Sequence, residues 1–140
     1  MTLIKKNEAM NYTQEQSKKI YAEALGYIKT LERSLERKSK FSNELLYQIS
    51  AMGFEKLFVA LLAFHKINAN HHTPLALLNE VETLLTVPEN IKTTAKLIGS
   101  FESICSMSGF GYKMPNEDQL HQIIVGLIDC KTFVGTFIEA

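Results

Sequence analysis

The chain has 140 residues, 46% of them hydrophobic, so it can bury a core without disulfides or metals to help. Fifteen basic residues balance fifteen acidic ones, which argues against a surface that holds nucleic acid chiefly by attraction to phosphate. The balance is uneven: residues 1–40 carry nine Lys or Arg against five Glu, and residues 41–140 carry six against ten acidic residues.

Residues 1–11 show no periodic pattern and are read as a loosely held arm, with 12–140 as a single helical domain. The opening MTLIKKNEAM lacks the apolar centre of a secretory signal, so a cytoplasmic location is the expectation. Thr13 and Gln16 have capping-box spacing, which predicts a first helix starting there. Tyr21, Ala24, Ile28, Leu31 and Leu35 then recur at intervals of three and four, a narrow apolar seam. Lys18, Lys29, Arg33, Arg37, Lys38 and Lys40 lie off it, as on a solvated face.

A short polar link, Ser39 to Ser42, implies that the next helix turns back antiparallel. That helix, predicted over 43–66 with Ser42 as its cap, ends in eight consecutive apolar residues, Leu57 to Phe64. So wide an apolar surface must be covered from several sides, which makes this the central helix. A membrane span needs about twenty apolar residues, and Glu55 and Lys56 interrupt this run, so no membrane role is expected. Adjacent residues cannot face one another on a helix, so Glu55 and Lys56 each need a partner elsewhere or solvent. Gly53, mid-helix, is expected to mark close approach by another helix.

The loop INANHHTP leads to Thr73 and Pro74, a start signal for a helix carrying Leu75, Leu78, Val81 and Leu85. Thr86 and Glu89 form another capping-box pair, with Pro88 in the first turn of a fourth helix lined by Ile91, Thr94, Ile98, Phe101 and Cys105. The loop SGFGYKMPN, 108–116, is no phosphate-cradling fingerprint, because its glycine spacing is wrong and no strand precedes it. Asn116 with Gln119 opens the last helix, whose seam is Leu120, Ile123, Leu127, Cys130, Val134 and Phe137, widened by Ile124, Ile128 and Ile138. No alternating strand pattern competes. The expected architecture is all-α: an up-and-down antiparallel helical bundle of four to five helices, with the helix at 43–66 in the middle.

Catalytic signals are sparse. His71 and His72 are neighbours in a loop without a cysteine or carboxylate at ligand spacing, and neither HExxH nor a cysteine pair occurs, so no metal or other cofactor is expected. His65 is read as a helix-end residue bonding free carbonyls. On antiparallel helices rising about 1.5 Å per residue, Cys105 and Cys130 would lie roughly 15 Å apart along the axis, so two free buried thiols are expected. Tyr112, Lys113 and His121, on and beside the glycine loop, are the candidate ligand-binding residues: the tyrosine can stack, the lysine supplies charge, and the histidine can move a proton.

The run FEKLFVALLAFHKINANHHTPLALLNEV resembles HEPN (higher eukaryotes and prokaryotes nucleotide-binding) domains. Glu55, Lys56, Leu57, Ala60, Leu61 and Leu62 match that family's long helix. His72 and Thr73 stand where the family usually has threonine and then histidine, in reversed order. GYKMPNEDQL and the long last helix look like its closing segment. The resemblance implies a helical bundle that is frequently a homodimer, often encoded beside a nucleotidyltransferase, and in some members a ribonuclease of toxin and antitoxin pairs. Ribonuclease members carry an arginine a few residues before a histidine near the last helix. Here Arg33 and Arg37 both lie in the first helix, and the cation nearest His121 is Lys113, with seven residues between. A lysine lacks the planar fork that grips phosphate oxygens. The expected function is therefore a non-catalytic HEPN-like module that dimerises and binds a protein partner or a nucleotide-like ligand, with a degenerate ribonuclease and a purely structural oligomerisation domain as the alternatives.

Overall fold

The computed structural model describes residues 2–37, 40–107 and 114–139, and side chains over 14–37, 40–102 and 114–139. Five helices follow one another: α1 (Thr2–Glu36), α2 (Asn43–Phe64), α3 (Pro74–Glu82), α4 (Glu89–Met107) and α5 (Glu117–Ile138). No strand occurs among the described residues. The fold is the all-α helical bundle that the periodicities predict.

α1 runs antiparallel to α2. The buried Ser17 hydroxyl donates to the Ala60 carbonyl at 2.8 Å near one end. Midway, the Lys56 ammonium meets Glu23 at 2.9 Å. α5 crosses back over both helices, antiparallel to α1 but in the same sense as α2: Leu46 lies by Leu120, and His65 lies 6.0 Å from the Phe137 ring. α4 runs antiparallel to α3, with Gly99 beside Leu75 at one end and Lys92 bonded to Glu82 at 3.0 Å at the other. The phenolic O–H of Tyr47 ties α2 to α4 by donating to the buried Ile98 carbonyl at 2.9 Å.

The eight-residue apolar run fills the centre: Leu57, Phe58, Ala60, Leu61 and Leu62 are each at most 1% exposed. Full burial of such side chains contributes about 1.5–3 kcal/mol apiece, which is why this helix and not another is surrounded. α2 and α5 are both long and apolar enough to cross a membrane; 56% of the apolar window of α2 and 44% of that of α5 are buried within the bundle. Among the described side chains, the α1, α4 and α5 seams are buried much as their spacing predicts, except that Leu35 is 38% exposed and Phe137 is only partly buried.

Several boundaries differ from expectation. α1 begins at Thr2 and not at Thr13, so the helix extends back through residues 2–12, a stretch with no Pro or Gly to stop it. α2 stops at Phe64, because Lys66 turns into the left-handed region at φ 64°. The amides of Lys66 and Ile67 then bond back to the carbonyls of Ala63 and Leu62, both at 2.9 Å, a Schellman ending without its usual glycine. α3 ends at Glu82, short of Leu85, and Thr73 makes no side-chain cap. Its buried face is Pro74, Leu77, Leu78 and Val81, which leaves Leu75 out at 41% exposure. α4 starts at Glu89 with the Pro88 carbonyl accepting from Ile91 and Lys92, both at 3.1 Å.

Candidate functional site

A cleft of about 360 Å³ opens where the end of α1, the link to α2, and the first turns of α2 and α5 meet. Two caps fix its walls. The Ser42 hydroxyl accepts from the Leu45 amide at 3.1 Å. The Asn116 side chain accepts from the Gln119 amide at 2.8 Å while the Gln119 side chain accepts from the Asn116 amide at 3.0 Å, the reciprocal box expected from the sequence. The floor is Leu46, Leu120 and Ile124, all buried, and the rim includes Leu35, Phe41, Glu117 and His121.

Both α2 and α5 begin at this end, and exposed amides at helix starts attract anions. Here the chain supplies its own anions: Glu44 stands in the first turn of α2, and Glu117 and Asp118 in the first turn of α5. Of these, Glu117 alone lines the cleft, and exposed Lys40 adjoins Phe41 in the chain. The cleft thus offers an apolar floor with one carboxylate at its rim.

Of the three candidate residues, His121 stands exposed at this cleft. Tyr112 and Lys113 lie outside the described residues, as does the side chain of Cys105. The features that sequence reasoning missed are Leu35 and Phe41, at 38% and 45% exposure. Leu35 continues the α1 seam and so reads as core, but α1 there has reached the cleft. Phe41 sits in a link whose other residues are polar; a lone phenylalanine in such a link was the available signal.

The remaining histidines hold structure. His65 bonds the Leu61 carbonyl through Nδ1 at 2.9 Å, the helix-end role expected of it. His72 meets Glu55 at 2.9 Å and His71 meets Glu80 at 3.4 Å, with both rings mostly exposed. Glu55 and Lys56 thus find separate partners off α2, His72 and Glu23. No group of three His, Cys, Asp or Glu side chains that could hold a metal occurs among the described residues. Burial, with Asp129 adding to it, pushes the Cys130 thiol up to about 12, so it stays protonated and is a poor nucleophile. Burial, and secondarily the nearby Glu55, raises the Glu102 carboxyl above its ordinary value.

A second groove, of about 470 Å³, lies between α1 and α5, lined by Tyr21, Leu25, Lys131 and Glu139 among others. Burial raises the Tyr21 hydroxyl above its ordinary value, and Glu139, to which it is hydrogen-bonded, raises it further. This hydroxyl occupies the space that a side chain at Gly135 would fill, so the pair is packing between helices. Compared with known proteins, the chain matches no protein family, no curated protein and no solved structure.

Proposed function

We propose that this chain is a non-catalytic, HEPN-like helical module that pairs with itself and binds a protein partner at the cleft between α1, α2 and α5. The partner contributes a short segment carrying an apolar side chain next to a lysine or arginine. A protein of the nucleotidyltransferase type is one candidate, on the strength of the sequence resemblance. The observation that supports this reading is the composition of the cleft: an apolar floor, exposed Leu35 and Phe41 at the rim, and Glu117 as the one carboxylate lining it. Exposed apolar groups beside a concave surface mark places where proteins meet, and Glu117 at the rim favours a cation on the partner.

The test is a titration followed by backbone and imidazole resonances of Leu46, Leu120 and His121. Short peptides combining lysine with leucine or phenylalanine are expected to shift these resonances and to lose about tenfold in affinity against Phe41→Ser. ATP at equal concentration is expected to leave them in place. A reversed result, with ATP binding and the peptides silent, assigns the cleft to a nucleotide and overturns the proposal. Cleavage of RNA by the purified chain, abolished in His121→Ala, would overturn its non-catalytic part.

A further inference from the structure

The outward side of α1 is basic. Lys19, Ala22, Gly26, Lys29, Arg33 and Arg37 recur at spacings of three and four, so they share one stripe, and all six are exposed. The Arg37 amide still bonds the Arg33 carbonyl at 3.2 Å, so the stripe continues one residue past the end of the helix. These positions hold four cations and no carboxylate. The acidic residues of α1 stand beside them, and two are engaged: Glu23 by Lys56 at 2.9 Å, and Glu32 by Lys131 at 3.2 Å. Glu36 lines the groove toward Lys131, and exposed Glu15 comes one turn before Lys19. Gly26 lies midway along the stripe. A side chain there would meet no atom within 4 Å among the described residues, so no contact among them accounts for a residue that weakens a helix.

We infer that this stripe docks an acidic helix of a partner protein, which crosses α1 most closely at Gly26. Charge complementarity chooses the occupant. A rise of about 1.5 Å per residue sets Lys29, Arg33 and Arg37 roughly 6 Å apart, the spacing of carboxylates at every fourth position of a second helix. Ala22 and Gly26 carry no long side chain to hold the partner's backbone away. Lys19 on one side of them and Lys29 on the other can lay their methylene stems along the partner while their ammonium groups reach its carboxylates. The partner runs antiparallel to α1, because a helix carries acidic residues most favourably in its first turns, and that orientation sets those turns against the three cations at the C-terminal end of α1. A polyphosphate chain is less well matched, because Glu15, Glu32 and Glu36 border the stripe, whereas a helix presents its carboxylates along one narrow line. The surface lies on α1 alone and does not depend on the partner proposed for the cleft.

The probe is a hydrocarbon-stapled, alanine-rich helical peptide with glutamate at every fourth position of its first half, and its control carries glutamine at those positions. Binding to the full chain is read by fluorescence anisotropy in about 50 mM and about 500 mM salt. The glutamate peptide is expected to bind at least about tenfold more tightly than its control, and to lose about tenfold in the higher salt. Gly26→Leu places a good helix former in open space, so Tm should rise while affinity for the peptide falls about tenfold or more. Arg33→Glu should lose about as much affinity with Tm little changed. Binding to Gly26→Leu as tight as to the unsubstituted chain would overturn the close crossing and with it the proposal. Equal affinity for the two peptides, or no binding of the glutamate peptide up to about 1 mM, would overturn it as well. Tighter binding of oligouridylate or of phosphatidylserine vesicles than of the peptide, lost in Arg33→Glu, would assign the stripe to phosphate groups and overturn the choice of an acidic helix.

Discussion

A glycine inside a helix costs about 1 kcal/mol relative to alanine, and Gly53 and Gly126 offset that cost to different degrees. A side chain at Gly53 would lie 3.7 Å from Tyr27 Cβ and 3.8 Å from Ile28 Cγ1, ordinary contact distances. At Gly126 it would land on the Thr94 side chain, with Cγ2 at 2.9 Å and the backbone-fixed Cβ at 3.0 Å. Thr94 has little freedom to yield, being buried and donating its hydroxyl proton to the Asn90 carbonyl at 3.1 Å. Gly53→Ala should therefore stabilise the chain by up to about 1 kcal/mol, and Gly126→Ala should destabilise it by about 1–3 kcal/mol. Thermal unfolding of the two variants would show Tm moving in opposite directions. Adding Thr94→Ala to Gly126→Ala should recover part of the loss, because it removes two of the three clashing atoms. Equal effects at the two sites would mean that α4 and α5 are not in contact where Thr94 meets Gly126. The sequence pointed to Gly53 because it interrupts a conspicuous apolar helix, and nothing comparable marked Gly126, whose reason is a threonine on another helix.

At the scale of the helix, seams were legible and ends were less so. A seam is a local pattern of spacing, and Ala24, Ile28 and Leu31 on α1 or Ile123, Leu127 and Cys130 on α5 are buried as that pattern requires. An end depends on backbone conformation, and α2 shows how that can be hidden. Its stop is at Lys66, in the left-handed region, where glycine is the residue that would have announced it. The exposed end of α1 was obscured in a different way: Leu35 keeps the seam spacing, but the helix has by then run past its cover. A non-glycine residue in the left-handed region costs about 1–2 kcal/mol, part of which glycine gives back as extra freedom of the unfolded chain. Lys66→Gly should accordingly raise stability by about 0.5–1 kcal/mol, read as a higher urea midpoint with unchanged slope. A lower midpoint would mean that the lysine side chain makes contacts worth more than the backbone strain.

For the molecule as a whole, helices cover α2 on several sides, and a half-buried carboxylate, Glu102, lies near Glu55, which α2 carries. Both causes of its shift, burial and the like charge of Glu55, penalise the ionised form, so its folded-state value lies above the 4.5 of the free group. The sign follows from linkage: the folded state binds this proton more tightly than the unfolded one, so stability is lost as pH rises through the interval between the two values. Below that interval the carboxyl is neutral in both states and contributes no penalty; above it the whole penalty is present. Glu102→Gln removes the charge and keeps the shape. Chemical denaturation at several pH values should find the variant more stable than the unsubstituted chain at about pH 7 and the advantage gone by about pH 4. Exposure of half the group lets solvent screen part of the penalty, so the gain at neutral pH should be modest, and its disappearance in acid is the diagnostic feature. An advantage that persists at low pH would assign the effect to packing of the amide, while a variant less stable at neutral pH would mean that the carboxylate is held by a cation that outweighs Glu55.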